Sequence, residues 1–150
     1  MHKLRMRNAE REPFGNMRFR VEIEGLQGTG AVEVVFPEAR LAAGPRKSRV
    51  VQYGTLILRR GVTRSHEWYE WWDHARTSRI LRKRVVTVVL IDERGADATR
   101  WTFDDARPCG YLLSNLNALG NEPLIETLEL AVGGFSASVG SPATKRRKKT

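Results

Sequence analysis

At 150 residues the chain is the size of a single domain with a real core, and its formal net charge of +9 points either to anionic partners or to a solvated basic segment. A single cysteine, Cys109, excludes an internal disulfide and fits a reducing compartment. No apolar run is long enough to span a bilayer or to form a signal-peptide core, so the expectation is cytoplasmic synthesis with no membrane insertion by this chain.

The charge is unevenly placed: Lys145, Arg146, Arg147, Lys148 and Lys149 supply five cations in a row. Two readings stand for such a tail: contact with a polyanion such as nucleic acid, or a disordered end that aids solubility. Residues 1–13 are polar, without apolar periodicity, and are expected to form a flexible basic arm. A single β domain over 14–140 and a disordered basic tail over 141–150 complete the expected division.

In 17–24, Phe19, Val21 and Ile23 alternate with Arg18, Arg20, Glu22 and Glu24, as in a half-buried antiparallel strand. A glycine-punctuated turn leads to a second strand over 31–36, ended by Pro37. The stretch 39–48, with Gly44-Pro45 and several basic residues, reads as a loop or hairpin tip, and 50–60 returns as a strand. Gly61 breaks that strand, and Thr63 or Ser65 is expected to cap a helix. In this helix Trp68, Trp71, Trp72 and Ala75 fall at i, i+3, i+4 and i+7, which makes one apolar face. Three tryptophans on one face are read as core or subunit interface before they are read as a stacking platform for bases.

Residues 85–91 are the most β-prone run and are predicted to form a central strand. A turn at 92–95 and a return over 98–103 make a hairpin. The glycines, asparagines and Pro108 of 104–122 predict irregular chain, after which 124–132 is a strand and 135–139 adds a few paired residues. The expected fold class is mainly β, with an antiparallel barrel or sandwich of about six to seven strands and one flanking aromatic helix.

Chemistry-bearing motifs are sparse. His66, Glu70 and His74 share a helical face, but their spacing differs from that of two histidines one turn apart, and no third ligand stands near. Cys109 has no neighbouring histidine and reads as a buried small residue. Asp104 and Asp105 are adjacent, so on a regular strand they would point to opposite faces and could not act as a pair. The expectation is a protein with no catalytic residues, no metal and no cofactor.

Several stretches, in order, resemble the tail tube protein family of contractile-tailed phages and phage-like contractile injection systems. They are Phe14-Gly15-Asn16-Met17-Arg18-Phe19, Tyr53-Gly54-Thr55-Leu56-Ile57-Leu58-Arg59-Arg60-Gly61, Glu67-Trp68-Tyr69-Glu70-Trp71-Trp72, Arg100-Trp101-Thr102-Phe103-Asp104, Leu116-Asn117-Ala118-Leu119-Gly120 and Ile125-Glu126-Thr127-Leu128. The resemblance implies a barrel flanked by a helix, assembling as homo-hexameric rings that stack into an inner tube, with sheath and baseplate proteins as partners and cargo or nucleic acid as a possible lumen content. It implies a particle-bound location after assembly. On this reading Trp68, Trp71 and Trp72 serve helix packing or a subunit interface, and Arg40, Arg46, Lys47 and Arg49 form a ring-stacking loop. Glu126 and Glu129 lie on an exposed strand face, and Lys145, Arg146, Arg147, Lys148 and Lys149 are a polyanion contact. The stacking loop is shorter than in the family and basic where the family's is acidic, which keeps open a tube initiator or adaptor that joins tube to baseplate. A monomeric basic nucleic-acid-binding barrel is the alternative from another class.

Overall fold

Alternating apolar and polar side chains place most strands where the sequence predicts them. The computed structural model describes residues 18–27 and 30–139, the side chain of Lys47 excepted. Its elements are β1 (Phe19–Ile23), β2 (Ala31–Val35), β3 (Ala39–Ala43), β4 (Arg49–Tyr53), β5 (Thr55–Gly61), α1 (Glu67–Thr77), β6 (Arg84–Ile91), β7 (Asp97–Leu113), β8 (Ile125–Ala131) and β9 (Gly134–Val139). Seven strands join in one antiparallel sheet system of order β1-β6-β7-β8-β5-β2, with β9 on β7, and β3–β4 form a separate two-stranded ribbon. The expected arms at 1–13 and 141–150, and the first residues of the quoted 14–19 stretch, lie outside the described residues.

The long strand β7 holds two layers together. Its first half pairs with β6 and β9, and its second half, from Arg107, pairs with β8. This corrects the expectation of irregular chain over 104–122, since the strand runs 17 residues to Leu113. Asp105 adopts φ 53°, a left-handed conformation that inserts a bulge. Phe103 and Ala106 are therefore both buried, and Asp104 and Asp105 are both exposed rather than on opposite faces. The bend carries one strand from the first sheet into the second.

The core lies between the layers. Val21, Ile23, Val86, Val88 and Phe103 face Leu56, Leu58, Leu128 and Leu130, and Trp68 and Trp71 of the helix close the set. Phe36 covers an edge of it, stacking edge-on against Trp101 at 5.0 Å between centroids. Between β4 and β5 the chain turns at Gly54, whose N–H donates to the Glu38 carbonyl at 2.7 Å. A Cβ there would stand 3.1 Å from the Glu38 nitrogen, so the expected single strand over 50–60 divides at this glycine.

The outer face of the first sheet shows how charged residues can bury an apolar one. Arg20, Val89 and Arg100 form a cross-strand row. Arg20 reaches across β6 to Asp97, donating at 3.1 and 3.0 Å, while Arg100 donates to the same carboxylate at 3.4 Å. Val89, which stands between the two arginines in this row, is 0% exposed although it is out of phase with Val86 and Val88 of the core. The hydrogen bonds from Arg20, ahead of the charge of Arg100, hold the Asp97 carboxyl below the usual carboxylate range. A depressed folded-state pKa gives stability that is present above the unfolded pKa and lost as pH falls through the folded one. Asp97→Asn is expected to lower stability to denaturant at neutral pH, and the gap from the parent is expected to close in strong acid.

Candidate assembly surfaces

The helix forms on the face that the tryptophan spacing predicts. Trp68 and Trp71 are buried, and Trp72 is half-buried against the core. Its start differs from expectation: His66 stands at the cap position and makes no side-chain cap bond, while the Thr63 hydroxyl accepts from the Ser65 N–H at 3.2 Å. The Trp71 indole N–H donates to the Arg82 carbonyl at 3.0 Å, which ties the chain leaving the helix back to it.

Beneath Trp68 lies a buried polar cluster. The Arg60 guanidinium stacks 4.1 Å from the centroid of the Trp68 ring, and its Nε donates to Glu126 Oε1 at 2.5 Å. The Tyr111 hydroxyl donates to the other Glu126 oxygen at 2.6 Å, and burial ahead of that bond raises the tyrosine pKa. Tyr69 on the helix meets Tyr111 edge-on at 5.7 Å. One ion pair thus joins β5, β7 and β8 to the helix above them.

This overturns the placing of Glu126 on an exposed strand face, because Glu126 is 3% exposed. It stands three positions from Glu129, so the two point to opposite faces of β8. Glu126 is in phase with buried Leu128 and Leu130, as Arg60 is with Leu56 and Leu58. That shared phase was the available signal for the pair. Glu129 is half-buried, with its carboxylate over Gly110, where any Cβ would collide with it. Cys109, expected to be buried, is exposed and free. Among the described residues no group of three or more His, Cys, Asp or Glu could hold a metal ion.

The stretch 39–48, with the strand after it, folds as the β3–β4 ribbon. Leu41 pairs with Val51, and Ala42 with Val50. Leu41, Val50 and Val51 are all exposed, so both faces of the ribbon offer aliphatic surface to solvent. At the tip Arg46 takes φ 57°, the Ser48 hydroxyl donates to the Pro45 carbonyl at 2.7 Å, and the Gly44 N–H donates to the Ser48 carbonyl at 2.8 Å. Arg40 pairs with Glu38 at 2.8 Å, whereas Arg46 and Arg49 are exposed and make no ion pair among the described residues. The Lys47 side chain and the cations at 145–149 lie outside the described residues. Two-stranded ribbons are marginal alone in water, and among the described residues this one packs on the core only through Tyr53.

Sheet margins are open as well. Among the described residues β1, β2, β9 and the second half of β7 each pair on one side only. Unpaired strand edges are templates for joining further chains.

The family model for the T4-like virus tail tube protein gp19 matches residues 15–136, and the chain belongs to that family of tail tube proteins. Its fold is that of several solved structures. A chain of the PVC extracellular contractile injection system sheath-tube complex aligns with a TM-score of 0.64 at 15% identity, covering 89% of this chain and 97% of that one. A chain of the anti-feeding prophage baseplate aligns with a TM-score of 0.62 at 20% identity, covering 85% and 97%. Hcp1 from Flavobacterium johnsoniae aligns with a TM-score of 0.60 at 18% identity, covering 81% and 95%. Among curated proteins no sequence match is found.

Two stability outcomes follow from the buried cluster. Trp68→Ala is expected to cost about 3–5 kcal/mol in denaturant unfolding, and Trp72→Ala clearly less. Glu126→Leu removes the carboxylate to which the buried Arg60 guanidinium donates and is expected to cost about 3–5 kcal/mol, most of it recovered when Arg60→Met and Tyr111→Phe are added.

Proposed function

We propose that this chain is the repeating subunit of the inner tube of a contractile injection particle, closing with copies of itself into six-membered rings that stack. The observation that carries the reading is the β3–β4 ribbon, aliphatic on both faces and cationic at its tip, on a chain of the tail tube family. An uncovered ribbon and one-sided strands are liabilities for a solitary protomer and natural joints for a ring or a stack. The role is structural rather than catalytic. Its outer partners are a sheath and a baseplate, in keeping with the similar chains found in the anti-feeding prophage baseplate and the PVC sheath-tube complex. Arg40, Arg46, Lys47 and Arg49 are the stacking contacts, and the cations at 145–149 are available to an anionic cargo or a neighbouring ring.

A specialised initiator or adaptor of the same tube is the second reading, favoured by the cationic character of the ribbon tip. A main subunit builds long tubes by itself, whereas an adaptor stops after one or a few rings.

Light scattering on a sizing column and negative-stain imaging test the proposal. The parent protein is expected as rings or tubes, and Arg46→Glu with Arg49→Glu is expected to leave rings that no longer stack. Unchanged stacking in that double variant would remove the ribbon from the contact. A lone protomer at high concentration, with nucleic-acid affinity that falls steeply with salt, would replace the tube reading with the binding one.

A further inference from the structure

Apart from the ribbon and β2, where Val32 and Val35 are exposed beside the Glu33–Arg59 ion pair, two exposed segments each gather aliphatic side chains. One is 79–83, where Ile80 is 79% exposed and Leu81 stands beside it. The other is the end of β7 and the loop after it, where Leu112 and Leu113 are exposed, Leu116 more so, and Leu119 is 97% exposed. The loop is built to hold that leucine out: Asn117 Oδ1 accepts from the Leu119 N–H at 3.0 Å, and the Gly120 N–H donates to the Asn117 carbonyl at 3.1 Å. Beside it lies a shallow concavity lined by Asn115, Asn117, Gly120, Asn121 and Glu122.

Charge separates the two. Arg79, Arg82 and Lys83 are exposed without ion pairs among the described residues, so 79–83 repels the cationic ribbon tip. Glu122 is the only charged residue over 109–124, so the leucine loop presents aliphatic surface with one carboxylate and several amide oxygens. Those are the acceptors that a guanidinium fork needs.

Position agrees with charge. The ribbon joins the main sheet at Thr55, which pairs with Ala131, and the leucine loop lies at the far end, where Gly61 pairs with Ile125. The two ends of β5 are about 20 Å apart at the usual rise per residue. A surface at one end that complements a surface at the other cannot be satisfied within one copy. It is satisfied by a second copy displaced along the strand direction, a head-to-tail contact that repeats without closing.

We infer that the leucine loop over 112–122 receives the β3–β4 ribbon of the next copy in the stack, with Leu41 and Val51 on Leu116 and Leu119, and Arg46 in the concavity against Glu122. This names the receiving surface for the ribbon and rests on the tube reading.

The test uses the full chain with Cys109→Ser as parent. Arg46→Cys with Asn121→Cys, oxidised after assembly, is expected to give a covalent ladder of copies, absent from either variant alone and from Arg46→Cys with Ile80→Cys. Glu122→Arg is expected to reduce tubes to single rings, and Arg46→Glu added to it is expected to restore them. A ladder with Ile80→Cys instead, unchanged tubes in Glu122→Arg, or no rescue in the charge-swapped pair would each overturn the inference and leave the tube reading standing. A parent that never forms rings would overturn both.

Discussion

The fold depends on one strand belonging to two sheets. β7 is hydrogen-bonded to β6 and β9 before Asp105 and to β8 after it, and the left-handed residue between turns the pleat without ending the strand. The two layers can close on a shared core because Phe103 and Ala106, on either side of the bulge, both point inward. A regular strand would have sent one of them to solvent. The helix then lies where the Arg60–Glu126 pair and Tyr111 fix it, with Trp68 as lid.

That architecture leaves a molecule well packed inside and unfinished at its margins. The buried set is continuous and apolar apart from the Arg60–Glu126 pair, while four strand edges are unpaired among the described residues and the β3–β4 ribbon meets the core only through Tyr53. Isolated exposed leucines are ordinary on protein surfaces, but aliphatic residues on both faces of a two-stranded ribbon are not. Such a ribbon is marginal on its own, and the family to which the chain belongs is one of tube proteins. Interior packing makes the protomer, and the margins are the surfaces that the proposed assembly uses.

Much of this was legible in the sequence. Alternation located β1, β5 and β8, an unbroken β-prone run located β6, and the spacing of Trp68 and Trp71 gave the buried helical face, because burial imposes those patterns directly. The length of β7 was not legible: Asp104-Asp105, Pro108 and Gly110 are residues that usually break strands, and only the pairing with β8 shows that they shape this one. Glu126 was misplaced for a related reason. A carboxylate is taken as solvent-facing unless its phase with Leu128 and Leu130 is weighed above its charge, and its partner Arg60 is 66 residues away in sequence. The ribbon was half visible, as a tip followed by the strand expected over 50–60 but without β3, since Leu41 and Ala42 are weak strand signals beside Gly44 and Pro45. On the proposed reading, what covers it is a property of contacts between copies, which no single chain's periodicity encodes.

Backbone amide hydrogen exchange, followed from dilute to concentrated protein, measures most directly whether the open margins are closed by further copies. The account predicts rapid exchange in β3, β4 and the one-sided strands of the dilute protomer, and strong protection of the same amides on assembly, with β6 slow throughout. Amides of the ribbon and edges that exchange equally fast at every concentration, or that are already protected in a lone protomer, would contradict it.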